Sequence, residues 1–292
     1  MPFEFSETQL RLTAFIGVFV LMAVVEALLP KRERREERKV RWFTNLGLVV
    51  IDSVTVLVIF PIAAVGVAFW AQQQGYGLFN MTGVPGWLAG LLSFVILDFA
   101  IYLQHVATHK IPILWRVHRV HHADHDLDVS SGLRFHPIEI TLSVAYKIAW
   151  VTLIGAPPLS VFLFEVVLNA CAMWNHANFN LPKPIDRILR KVIVTPDMHR
   201  VHHSILRNET DANYGFNLSI WDRLFRTYIA QPEKGHHGMT IGLPDRQDDG
   251  PQFLLWSLLF PFKGERPERE WKPQIEADTD ERPSDRLPEP GQ

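Results

Sequence analysis

Long uncharged apolar runs alternate with short polar connections over the first 180 residues. Residues 9–29 form the first run, and about 20 such residues are enough to cross a bilayer's hydrocarbon core. Its leader, MPFEFSE, is acidic rather than basic, and no small-residue cleavage site follows. The pattern therefore predicts an uncleaved helix rather than a signal peptide. A second run covers residues 45–70 and a third covers 87–103. Two more, 137–154 and 158–174, are separated only by Gly155-Ala156-Pro157, which predicts a tight helical hairpin. The fold class expected is all-α: an integral membrane bundle of three spans plus this hairpin.

Charge then orients the bundle. The segment 31–41 (KRERREERKVR) carries seven basic residues, whereas 71–85 carries none. Short loops rich in Lys and Arg stay on the cytoplasmic side. The N-terminus is thus expected outside, with the first span ending inside and the third returning inside. His105, His118 and His176 all emerge on that inner face, on a helical cap, although no histidine entered the topology. Residues 253–262 (FLLWSLLFPF) are too few to span and read as an interfacial helix. Residues 264–292 are charged and proline-rich, a composition expected to stay disordered.

Net charge is only -2, which argues against nucleic acid as a partner. Cys171 is the single cysteine, so an intrachain disulfide or thiolate cluster is excluded, and its apolar run predicts burial. Histidine is the unusual residue, with 13 copies and none before position 105.

Nine of these fall into four groups: His105 and His109 in HVATH, His118, His121 and His122 in HRVHH, His176 in WNHANFN, and His199, His202 and His203 in a second HRVHH. One HxxHH is expected by chance on the order of 0.03 times in such a chain. Positions i, i+3 and i+4 of a helix share a face, so each HRVHH is expected to present three imidazoles to one point. Nine imidazoles exceed the needs of one metal and suggest a dinuclear centre. Imidazole suits iron, zinc, copper or nickel alike. HVATH lacks the glutamate of HExxH, which counts against a zinc protease. Of the rest, His125 reads as a spare ligand or a surface residue. His136, before Pro137, is a candidate for contact with a ligand or substrate. His236 and His237 read as surface residues.

The spans also hold ionisable side chains, which are costly at membrane depth and usually functional. Asp98, Tyr102, His105 and His109 share one helical face. Asp98 is a candidate acceptor for the second N–H of a metal-bound histidine, or else a helix contact. Lys147 and Glu165 each lie nine residues from Ala156 and should pair across the hairpin, either holding it together or meeting a substrate head group.

HVATH, the two HRVHH segments and the His176 segment resemble the fatty acid hydroxylase/sterol desaturase superfamily of membrane di-iron oxidases. LRFHPIE (133–139), TPDMHRVHHS (195–204) and NYGFNLSIWDRLFRTY (213–228) resemble it too. The similarity covers roughly residues 90–230. Together with the apolar runs, it divides the chain into N-terminal transmembrane helices over 1–85, a catalytic domain over 86–230, and a C-terminal segment with the interfacial helix over 231–263. It further implies two iron ions (or zinc in a purified form) on His105, His109, His118, His121, His122, His176, His199, His202 and His203. The implied reaction is O2-dependent hydroxylation or desaturation of a fatty acyl, sterol or related lipid. Some members carry a further histidine where this chain has Asn180, which leaves Asn180, His125 or water to complete the coordination. With neither a cysteine cluster nor GxGxxG, electrons are expected from a separate ferredoxin- or cytochrome-type donor. In a bacterium the protein would lie in the inner membrane. The competing readings are a zinc-dependent membrane hydrolase, which needs a carboxylate base, and a metal transporter, which should place ligands near the bilayer midplane.

Overall fold

The computed structural model describes residues 6–264, so the expected disordered tail lies outside the described residues, save for Gly264. Helix α1 runs Glu7–Leu28. Ser6 begins it with a capping box: its Oγ accepts from the Gln9 N–H while the Gln9 side chain accepts from the Ser6 N–H. Helix α2 covers Arg38–Ile59 and α3 covers Ala64–Gln73. The second apolar run is therefore two helices, not the one expected. Pro61 explains the break, since it has no N–H to continue the ladder and its ring clashes with the preceding turn. Helix α4 (Leu78–Thr82) leads into α5 (Gly86–Lys110), which extends the third apolar run to include HVATH.

Helix α6 (Pro112–His122) starts on a proline, and α7 (Pro137–Ile154) and α8 (Pro158–His176) form the hairpin. Gly155 ends α7 at φ +67°, a left-handed conformation that glycine adopts without strain. A Cβ on Gly77 would lie 2.4 Å from the Gly155 nitrogen, so the turn before α4 seats directly on the hairpin turn. Short helices then follow: α9 (Lys183–Leu189), α10 (Pro196–His202), α11 (Arg207–Thr210), α12 (Ile220–Leu224), α13 (Gly235–Gly238) and α14 (Leu254–Leu259). Among the described residues every named element is helical.

Five segments are long and apolar enough to cross a membrane, matching the three spans and the hairpin. Their outer faces are apolar: Leu57 is 72% exposed and Val58 74%. Such faces need a lipid environment rather than water. Inside, α2, α3 and α5 pack on α7, and α1 packs on α8. Buried Leu97, Ile101, Val151, Ile154, Val161 and Phe164 form the central apolar contact. The stretch 253–262 folds as α14 plus a 3-10 turn over Phe260–Phe262. Leu254 lies over Gly47 of α2, where a Cβ would stand 2.9 Å from its Cδ2.

The basic segment after α1 is largely built into the protein. Arg41 is buried, and its Nε and Nη2 donate to the two Asp124 oxygens at 2.7 and 2.8 Å. Its Nη1 donates to Asp128 at 2.7 Å. Burial pushes the Asp124 carboxyl up, but Arg41 overrides this and holds it well below the usual carboxylate range. The main chain at Arg35 and Glu36 donates to Asp126. These bonds hold the loop after α6 against the start of α2, beside the histidines.

Candidate metal centre

Four elements bring nine imidazoles together. Helix α5 carries His105 and His109 one turn apart in its last turns. Helix α6 carries His118, His121 and His122, and α8 ends on His176. Thr195 caps α10 by accepting from the Met198 N–H, and that helix presents His199 and His202, with His203 as its C-terminal cap. All nine are buried.

They divide into two groups whose ligating atoms lie within 4.8 Å of one another: His105, His109, His118, His122 and His202, and His121, His176, His199 and His203. Neither HRVHH points three rings at one place, contrary to the expectation from spacing. About 100° of rotation per residue puts i and i+4 about 40° apart, but i+3 about 60° to the other side. His118 and His122 thus face one group while His121 reaches the other. Helix α10 does the reverse, with His199 and His203 in the group of four and His202 in the group of five.

The geometry fits a bound metal. In the group of four, Nε2 atoms approach at 3.0 Å (His176 to His121), 3.1 Å (His176 to His199) and 3.2 Å (His176 to His203). In the group of five, His118 Nε2 lies 3.1 Å from His109 and 3.2 Å from His122. Ligands about 2.0–2.1 Å from one ion stand about 3.0–3.4 Å apart. Several Nδ1 atoms face backbone carbonyls, which can only accept. His105 donates to Tyr214 (2.8 Å), His121 to Arg134 (3.2 Å), His176 to Ala172 (2.7 Å) and His202 to Ala212 (2.7 Å). The proton is then on Nδ1, and each Nε2 turns a lone pair inward. His202 Nε2 has no hydrogen-bond partner at all. Burial, reinforced by the neighbouring imidazoles, holds His121, His122, His199 and His203 well below the usual histidine range. All four are neutral at pH 7, the form that ligates.

The carboxylate behind a histidine is Glu139, not Asp98. His118 Nδ1 meets Glu139 Oε1 at 2.6 Å. Asp98 instead accepts from the Asn217 and Leu218 N–H groups and from Trp221 Nε1, at 3.3, 3.2 and 2.7 Å. It ties α5 to the loop before α12, three and four residues beyond Tyr214, whose carbonyl receives His105. His136 caps α7, its Nδ1 accepting from the Ile138 N–H, and its Nε2 faces the Leu258 carbonyl. His125 lies between Glu36 and the Arg246 carbonyl, outside both groups. Asn180 also lies outside them; it is exposed and accepts from Lys31 Nζ. His237 is exposed as expected, but His236 is buried beside Asp197. Cys171 is half-buried rather than fully enclosed.

Sequence reasoning passed over Glu139, Arg134 and Arg41. Arg134 is fully buried and donates to the Val120 carbonyl, Asn45 Oδ1, the Pro251 carbonyl and Ser257 Oγ, while its own carbonyl orients His121. A signal existed: Arg41, Asn45, Leu48 and Asp52 recur at helical spacing and form the buried stripe of α2.

The histidines close one end of a cavity of about 640 Å3. His105, His118, His121, His199 and Glu139 line that end, and aliphatic residues such as Val56, Ile101 and Val144 line the middle. Toward the hairpin turn the cavity meets Lys147 and Glu165, which pair as expected. Arg11 joins them from α1, 2.7 Å from Glu165.

A family model described as fatty acid hydroxylase matches residues 90–227. The chain is 29% identical to an ornithine lipid hydroxylase of Rhizobium tropici over 265 residues, covering 85% of this chain and 74% of the relative. It is 32% identical to the alkylglycerol monooxygenase of Homo sapiens over 197 residues, 65% of this chain but only 42% of that protein. A cholesterol 25-hydroxylase-like protein of Danio rerio is 23% identical over 237 residues, 74% of this chain and 87% of the relative. No solved structure matches the chain.

Proposed function

Since this chain belongs to the fatty acid hydroxylase family, we propose that it is a membrane-embedded lipid hydroxylase, with residues 86–230 as its catalytic domain. The observation that carries this reading is the pair of buried histidine groups whose inward lone pairs end an apolar cavity. The nine histidines would hold two iron ions, which supply the oxygen-activating chemistry when bound. The overall change is R–H plus O2, two electrons and two protons to R–OH plus water. The electrons come from a separate ferredoxin- or cytochrome-type protein.

The chain's own residues account for the rest. The carbonyls of Tyr214, Arg134, Ala172 and Ala212 fix four imidazoles in the Nδ1–H tautomer. Glu139 does the same for His118 and makes it a stronger ligand. The aliphatic middle of the cavity receives a lipid chain from the bilayer and excludes water from the reacting end. The hydrolase and transporter readings gain no support. The three relatives described above are named as hydroxylases or monooxygenases, and both histidine groups sit at helix ends rather than at mid-membrane.

Lipid profiling of a host expressing the protein, against His121→Ala, tests the proposal. The expected result is a lipid species heavier by one oxygen with the wild type only, and about two irons per purified chain. An unchanged profile together with an iron-free protein would overturn it.

A further inference from the structure

A second cavity, of about 430 Å3, shares no lining residue with the one at the histidines. Four cations line it, Lys31 after α1 and Lys183, Arg187 and Arg190 on or just after α9, against two carboxylates, Asp186 and Asp197. Both carboxylates are already engaged. Arg190 Nη2 lies 2.5 Å from Asp186, which also accepts from Thr195 Oγ1. Lys31 Nζ lies 3.2 Å from Asp197, which also pairs with Arg200. Lys183 and Arg187 are exposed and form no ion pair among the described residues. His236 lines the cavity as well and is only 8% exposed. Neither of its ring nitrogens has a hydrogen-bond partner, and Asp197 Oδ2 stands 3.6 Å from Nε2. Burial pushes this histidine down to about 4 against the pull of Asp197, so at pH 7 the ring is neutral and keeps one N–H without an acceptor.

The cavity lies where the spans end, for the chain past α1 bridges to the chain past α8 at Pro30 and Phe179. Ile185 and Ile188 of α9 are 48% and 67% exposed, and Val192 just beyond it is 58% exposed. Apolar side chains of this kind beside Lys183 and Arg187 suit a segment lying in a bilayer's interface. Basic pockets at that depth take the head groups of anionic lipids. We propose that this pocket binds a phosphate group at the membrane surface, held by Lys183, Arg187 and the His236 N–H. The phosphate is carried by an acidic phospholipid or comes free from solution. Its oxygens accept from all three groups, in bidentate fashion from the guanidinium and at a point from the ammonium, and its charge balances the cations that the two carboxylates leave over. A small anion reaches buried His236, whereas a protein surface stops at the exposed rim. The site does not depend on the hydroxylase reading, since no histidine of the metal centre lines it.

Binding to the full chain in neutral detergent tests it, by native mass spectrometry and thermal shift. The probes are phosphatidylglycerol against phosphatidylcholine, and inorganic phosphate against chloride at equal ionic strength. The wild type should prefer phosphatidylglycerol at least about tenfold, and Lys183→Gln with Arg187→Gln should remove most of that preference while melting with the wild type. His236→Phe, which keeps a ring and deletes the N–H, should weaken it about threefold or more. Arg34→Gln with Lys39→Gln removes two exposed cations outside the pocket and should change it by less than about twofold. A preference for the lipid alone assigns the site to a head group, and one for inorganic phosphate as well assigns it to phosphate from either source. The proposal is overturned if neither probe is preferred, or if the Arg34 and Lys39 variant loses as much as the pocket variant, which would mean general surface charge. Binding of polyglutamate in preference to both probes would overturn it too, in favour of an acidic protein partner.

Discussion

At the scale of single residues, the centre depends on groups that touch no metal. Glu139 is the sharpest case, because its 2.6 Å contact sets both the tautomer and the ring orientation of His118. Glu139→Gln keeps the shape but can offer only a neutral oxygen. Losing such a carboxylate typically weakens metal binding about 10–100-fold. Competition with a chelator should therefore strip one metal from Glu139→Gln at about 10–100-fold lower chelator concentration, while the other metal stays. Equal resistance in both proteins would remove Glu139 from this role. Asp98 illustrates the opposite lesson. It shares a helix face with His105 and His109, yet its oxygens are used by Asn217, Leu218 and Trp221. A helical face names neighbours on one helix, not the partners that a second element brings to it.

At the scale of elements, α6 and α10 exchange histidines. Each gives two rings to one group and one ring to the other, so each helix contributes to both groups. This yields a prediction that spacing alone would reverse. His121→Ala and His199→Ala lie on different helices but in the same group, so the double variant should retain one metal per chain, as each single variant does. His121→Ala with His202→Ala strikes both groups and should lose both metals. Metal-to-protein ratios of the purified variants read this directly. If His121→Ala combined with His118→Ala still kept one metal, the grouping would be wrong, because that pair also spans both groups. The HRVHH spacing and its helical conformation were legible beforehand. The division was not, because two groups about 80° apart around α6 are both within reach of a helix that lies between them.

At the scale of the whole molecule, the basic segment 31–41 lies on the same side as the histidines. Lys31 pairs with Asp197, two residues before His199, and Arg41 grips the loop that follows His122. The positive-inside rule predicts the cytoplasmic side for both. Reporter fusions test that orientation: a phosphatase that works only outside should be silent after residue 264, and a cytoplasmic fluorescent protein there should be bright. The reverse pattern would turn the centre outward and call for an electron donor on the other side.

The sequence by itself determined the membrane class, the number of spans, the hairpin and the nine histidines, because each rests on a local property. Apolar length, a Gly-Ala-Pro turn and recurring i, i+4 positions are read within one stretch of chain. It also carried the Lys147–Glu165 pair, since equal distances from a tight turn imply equal depth. Only the tertiary structure decided which imidazoles share a point, that Glu139 rather than Asp98 stands behind one of them, and that Asp52 lines the cavity. It also joined Arg11 to the hairpin pair and buried His236. The reason is common to all of these. Each depends on the rotation and approach of one helix against another, and the spacing of residues along one helix says nothing about which neighbour will meet its face.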